Sequence, residues 1–233
     1  MFIALSFPSP PFFLFFWVNL PSNMSSAYGK IPKPEIAVDL CTILPIHKTL
    51  RDGTECVIQQ VDTNNKSLVD FLHAQFNQEI EAGSTYPQEN PLDEQQFKDY
   101  FLGYDAFVMS KDGLIDPKVT TYNWDDKIVG MFYIKPNYPG RSSHICNGGF
   151  VVMKNYRGKG AGVVMGEAFK VLVPALGYKA SVFNLVFANN IASIAIWRKL
   201  GFQEIGRVPK AGRLRNNPNE LVDAIIFYYD FTK

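Results

Sequence analysis

Arg157-Gly158-Lys159-Gly160-Ala161-Gly162 stands between a stretch that reads as a strand, Ile145 to Met153, and one that reads as a helix from Gly162. Alternate glycines leave backbone N–H groups free to converge on an anion, and the helix that follows adds its positive end. Met165, Ala168, Phe169, Leu172, Val173 and Leu176 recur on that helix at helical spacing, and Pro174 is expected to kink or shorten its last turn. Spacing excludes two phosphate-binding loops. A P-loop needs Ser or Thr after Gly-Lys, where this chain has Gly160, and the dinucleotide fingerprint G-x-G-x-x-G is one residue longer than Gly158-x-Gly160-x-Gly162, with Val182 where its acidic residue would fall. A glycine-rich connector without a ligand would read the same way, so the neighbouring segments have to decide.

Downstream, Ser181 to Phe187 reads as a strand and Asn190 can cap a helix that ends at Gly201 in the left-handed conformation, with Phe202 folding back onto Trp197. Ala224 to Asp230 reads as a terminal strand. Upstream, Glu55 to Val61 reads as a first strand, and Ser67 can cap a helix carrying Leu68, Phe71, Leu72, Gln75, Phe76 and Ile80 before Gly83. A short helix is expected near Asp93 to Phe101, then strands Ala106 to Ser110 and Lys127 to Ile134 around a turn-rich insertion. Strand, glycine loop, helix, strand implies a crossover unit in a mixed α/β sheet.

The 233 residues suit one catalytic domain, placed at 35–233, behind an N-terminal extension at 1–34 expected to lie outside the fold. Its apolar run is broken by Pro8, Pro10 and Pro11 and has no basic start, so no membrane span is expected; Met24 is an alternative first residue. A net charge of +1 supplies no field to gather a polyanion, which argues against a nucleic-acid partner. The densest basic stretch, Arg207, Lys210, Arg213 and Arg215, reads as a solvated loop. Cys41, Cys56 and Cys146 form no C-x-x-C pair, and His47, His73 and His144 lie far apart, so neither a disulfide framework nor a metal site is expected. A reducing compartment fits, the cytoplasm first, with nucleus and mitochondrion as alternatives.

The pattern R-x-x-G-x-G from Arg157 to Gly162, followed by Asn190 to Phe202 ending in Lys-Leu-Gly-Phe, resembles the GCN5-related N-acetyltransferase (GNAT) superfamily. Between Phe71 and Thr232 the chain further resembles the fungal acetyltransferases of the proline analogue azetidine-2-carboxylate. The residues that carry this are Thr85 to Gln88, Phe132 to Tyr138, Cys146-Asn147, Gly149-Phe150, Phe183 to Phe187 and Val222 to Ile226. The resemblance implies a central, mostly antiparallel sheet with two splayed strands flanked by helices, acetyl-CoA as co-substrate, a small amino-acid acceptor and a homodimer.

It also implies a site. The cofactor would be held by Phe150, Val151, Val152, the loop Arg157, Gly158, Lys159, Gly160, Ala161 and Gly162, and by Asn190 and Trp197; backbone N–H groups near Phe150 and Val151 would polarise the acetyl carbonyl. Asn147, Asn184 and Asn190 match asparagines that the family uses in acceptor binding or catalysis, and Tyr86 and His144 are further candidates for the pocket. Each has a plainer role open to it: a helix cap for Asn190, strand-end hydrogen bonds for Asn147 and Asn184, a buried phenol for Tyr86. No carboxylate lies in the strand around Asn147, so a water held by Asn147 is the expected proton path, with Glu79 or Glu81 second. Trp197 stands where many superfamily members have a tyrosine. Polyamine or protein amines as acceptors, and a non-catalytic acetyl-CoA-binding module, remain alternative readings.

Overall fold

A computed structural model describes residues 31–233 apart from 118 and 120; the expectations for residues 1–30, including the start at Met24, lie outside the described residues. Eight strands form one sheet in the order β1-β2-β3-β4-β5-β6-β8-β7. These are β1 (Ile46–Thr49), β2 (Glu55–Gln60), β3 (Asp105–Lys111), β4 (Ile128–Pro136), β5 (Ile145–Val152), β6 (Ala180–Phe187), β7 (Gln203–Gly212) and β8 (Val222–Asp230). Every neighbouring pair is antiparallel except β5 and β6.

The helices cover both faces. Side chains alternate along β4, so Phe132 and Tyr133 point to opposite sides. Phe132 stacks on Phe150 at 5.4 Å between ring centres, and Phe150 meets Phe169 of α4 (Ala161–Ala175). Tyr133 packs edge-on to Phe101 at 5.0 Å, which in turn meets Phe76 of α1 (Lys66–Ala82). The short α2 (Glu94–Phe97), closed by an Asp93–Gln96 capping box, runs on as a π-helical turn over Lys98–Leu102 where a continuous short helix was expected. A further turn, α3 (Trp124–Lys127), precedes β4, and α5 (Ile191–Lys199) lies against α4.

The helix stripe reads as expected: Met165, Ala168, Phe169, Leu172 and Val173 are fully buried, and α4 stops one residue after Pro174. Four expectations need correction. Asn65, not Ser67, caps α1, its Oδ1 accepting the N–H of Leu68 at 3.1 Å. The irregular stretch up to His47 contains the start of β1, too short and Pro-flanked to show a period. Arg207 and Lys210 lie in β7, an exposed edge strand rather than a loop, recognisable only through its pairing with β8. Finally, residues before 35 touch the domain, since Ile31 is buried and hydrogen-bonds the Tyr104 hydroxyl, and Lys33 pairs with Asp105 at 2.8 Å.

Candidate functional site

β5 and β6 are paired only at Ile145–Ala180 and Cys146–Ser181, so the sheet opens immediately beyond. Asn137 N–H bonds Ile145 C=O, and Met153 N–H bonds Val129 C=O, which turns the odd-numbered residues of β5 toward β4. By alternation the backbone groups of Gly148, Phe150 and Val152 face the gap. Val151, expected with Phe150 to offer a backbone N–H there, turns it toward β4 instead and contributes only as a wall. On the opposite edge, a bulge between Phe183 and Val186 re-aims Asn184.

Two cavities meet at this gap. The larger, about 540 Å³, is lined by Phe150, Val151 and Val152, by Arg157, Gly158, Gly160, Ala161 and Gly162, and by Asn190 and Trp197. Gly158 and Gly160 have φ of +78° and +92°, a conformation costly for any residue with a Cβ. Gly160 caps α4 without a side chain, and among the described residues no acceptor takes the N–H groups of Ala161 or Gly162, leaving them directed outward from a 15-residue helix. That is a fit for a diphosphate.

Lys159, expected in the same set, does not line the cavity. It pairs with Asp52 at 3.2 Å, and Asp52 is held down to about 2 chiefly by the Thr54 hydroxyl and N–H, with Lys159 adding to them. Arg51, on the β1–β2 hairpin, lines the cavity beside Gly160 and has no acidic partner among the described residues. Sequence reasoning missed it because its hairpin lies more than a hundred residues from the loop. Arg157 bonds Val152 C=O through Nε and forms an ion pair with Glu79 of α1 through Nη2. Glu79 is thus engaged by an arginine, and Glu81 lines neither cavity.

The smaller cavity, about 370 Å³, is lined by Tyr86, Asn147, Asn184 and Asn190 together with Tyr100 and Tyr133; Thr85, Phe150, Asn190, Ser193 and Trp197 belong to both. Asn190 also caps α5, accepting the Ser193 N–H at 3.1 Å, so the cap residue is itself a wall of both cavities. Among the described residues the buried Tyr86 hydroxyl has no hydrogen-bond partner, and burial holds the Tyr86 and Tyr133 phenols well above their usual range. Both are hydrogen-bond donors at neutral pH, not bases. Trp197 spends its indole N–H on Ser193 Oγ at 2.9 Å. His144 is exposed and lines neither cavity. Cys146 is buried, its thiol pushed up to about 12 by desolvation, which removes it as a nucleophile.

Lys135 stands opposite Asn147 in the β4–β5 register. Its ammonium lies 3.9 Å from the Tyr100 ring centre and 4.6 Å from that of Tyr133, and burial lowers its pKa to about 8.

Residues 74–202 match the model described as the Acetyltransferase (GNAT) family. N-acetyltransferase aca1 of Schizosaccharomyces pombe is 40% identical over 184 residues, covering 76% of this chain and 88% of that protein. A GCN5-related N-acetyltransferase from Kribbella flavida superposes with a TM-score of 0.62 at 22% identity, over 75% of this chain and 97% of that one. A GNAT superfamily phosphinothricin acetyltransferase from Sinorhizobium meliloti, solved in complex with acetyl-CoA, gives 0.62 at 15% identity over 75% and 88%. The chain belongs to the GNAT family, with the mixed α/β GNAT fold. Its activity is acetyl-CoA-dependent N-acetyl transfer.

Proposed function

We propose that the acceptor is a small cyclic amino acid with a secondary amine, azetidine-2-carboxylate or a related proline-pathway metabolite, and that the reaction detoxifies proline analogues in the cytoplasm. The carrying observation is the smaller cavity: about 370 Å³, entered from the strand gap and lined by three asparagines and tyrosines with no acidic side chain. A polyamine or a lysine side chain would call for carboxylates there to hold its positive charge. A zwitterion of this size instead needs neutral donors and acceptors, which amides and phenols supply.

The larger cavity holds acetyl-CoA in this reading, with Ala161 and Gly162 N–H groups and Arg51 toward its phosphates and Phe150 and Trp197 toward its acyl end. When bound, the cofactor supplies the acetyl group as a thioester. A protonated amine has no lone pair, so the acceptor must lose a proton before it reacts. Glu79 is tied to Arg157, and Asn147 is too weak a base; Asn147 therefore positions a water that carries the proton away. The Tyr86 hydroxyl donates to the acceptor's carboxylate, and Asn184 and Asn190 complete its surroundings. We further propose a homodimer joined through the β7 edge, where Ile205 is 56% exposed and Val208 37%.

Asn184→Ala tests the acceptor assignment. Acceptor KM is expected to rise at least about tenfold while acetyl-CoA affinity stays within about twofold, consistent with loss of one or two hydrogen bonds. Equal loss of both would assign Asn184 to the framework instead.

A further inference from the structure

Asn137 follows the last residue of β4, and its side chain reaches over β5 to β6. Its Oδ1 accepts Nδ2 of Asn147 at 3.0 Å and Nδ2 of Asn184 at 2.5 Å, while its own Nδ2 donates to Oδ1 of Asn184 at 3.0 Å. This bridge stands where the backbone no longer supplies one. Beyond Cys146 and Ser181 the two strands share no ladder, and Asn184 sits in a bulge, so regular pairing does not set the distance between residues 147 and 184.

The hydrogen-bond count has a chemical consequence. Both polar ends of the Asn184 amide are engaged by Asn137, and so is the nitrogen of Asn147. Among the described residues, Oδ1 of Asn147 has no protein donor, and Asn147 lines the smaller cavity. An amide oxygen accepts only, so the partner it selects is an N–H or an O–H. A neutral secondary amine keeps one N–H, and a proton-carrying water keeps two O–H groups.

Resting on the reading of Asn147 and Asn184 as acceptor residues, we infer that Asn137 is a positioning residue that joins them across the splayed strands and leaves Oδ1 of Asn147 free for the acceptor amine or its water. Without Asn137, Asn184 keeps only the long hydrogen bond that its Oδ1 accepts from the Tyr138 hydroxyl at 3.5 Å, and Asn147 can rotate its amide and present donor and acceptor ends alike. Only turnover that depends on Asn147 should suffer.

Two variants test this. Asn137→Leu removes every side-chain hydrogen bond at similar volume, whereas Asn137→Asp keeps oxygens for both Nδ2 groups. The leucine variant is expected to lose about 10- to 100-fold in kcat/KM for the acceptor as the three hydrogen bonds joining the asparagines disappear, with KM for acetyl-CoA within about twofold. The aspartate variant should recover at least about a third of the lost efficiency on a logarithmic scale. Independently of any acceptor, the side-chain amide protons of Asn147 and Asn184 in ¹⁵N-labelled protein should exchange faster in Asn137→Leu than in wild type and near the wild-type rate in Asn137→Asp.

Unchanged amide exchange in the leucine variant, or parallel losses for acceptor and acetyl-CoA, would overturn the role of Asn137. If wild-type protein acetylates no cyclic amino acid, the acceptor reading fails by itself. The amide exchange, with kinetics on whichever amine is turned over, still decides for or against Asn137.

Discussion

Lys159 and Asp52 form an ion pair of 3.2 Å outside the larger cavity, so the lysine inside the glycine motif does not line it. Arg51, from the same hairpin as Asp52, does line it, beside Gly160. Arg51→Ala should raise KM for acetyl-CoA about fivefold at low ionic strength, with the effect shrinking as salt is added, while Lys159→Ala changes it by less than about twofold. Steady-state kinetics at two salt concentrations make the comparison. The opposite ranking would return the lysine to the cofactor site.

Lys135 provides a pH test of the packing around Tyr100 and Tyr133, which line the smaller cavity. Burial lowers its pKa from 10.5 to about 8. Below about pH 8 the ammonium is charged in both folded and unfolded chains, and the folded state carries the full cost of desolvating it. Between about 8 and the ordinary lysine value the unfolded chain binds more protons, so this group makes stability rise with pH. Lys135→Met should be more stable than wild type at pH 7, by at most about 3 kcal/mol, with the tyrosine faces reducing the difference. The advantage should narrow toward pH 10 in denaturant titrations. A pH-independent difference would show that the lysine's charge is not what costs stability there.

Gly149 makes room for Tyr133. A Cβ at this position would lie 2.5 Å from Cε1 of Tyr133 and 2.7 Å from its Cζ and Oη. The ring has no retreat, being buried, packed on Phe101 and hydrogen-bonded to Tyr100 at 3.2 Å. Gly149→Ala should cost about 1–3 kcal/mol of stability by overpacking and weaken acceptor use more than acetyl-CoA binding. Calorimetric melting with isothermal titration of both ligands checks it. A variant as stable as wild type with normal acceptor KM would show that the ring can move.

Trp197 packs on Phe150 at 4.9 Å and Phe183 at 4.3 Å, with its N–H given to Ser193. Trp197→Phe should therefore lower stability and leave the pH dependence of kcat unmoved, since an indole committed in this way transfers no proton. A limb of the pH–rate profile lost in the variant would contradict that assignment.

Much of this was legible because local chemistry and tertiary need coincide. The α4 stripe is the face that packs on the sheet, and Gly201, with φ of +84°, ends α5 as its position predicts. Asn190 was readable as a cap and also sits at the junction of the cavities. What stayed hidden depends on distant strands. β7 is exposed on both faces and has no hydrophobic period. Arg51 reaches the glycine loop only through the fold, and Val151 faces β4 because of a register that no single strand reveals. Asn137 was visible within the Phe132 to Tyr138 segment, but its bridging role requires knowing that β5 and β6 part beside it.

A GNAT-type enzyme with this cavity is expected to acetylate a small cyclic amino acid. The direct measurement is free-thiol release from acetyl-CoA with azetidine-2-carboxylate, spermidine and a lysine peptide offered separately to the purified protein. The account predicts turnover with azetidine-2-carboxylate at least about a hundredfold more efficient than with the other two, an advantage of the size expected when several hydrogen bonds separate a fitting acceptor from a misfit. Acetyl-CoA binding without release of thiol to azetidine-2-carboxylate, or preferential use of spermidine or the peptide, would contradict it.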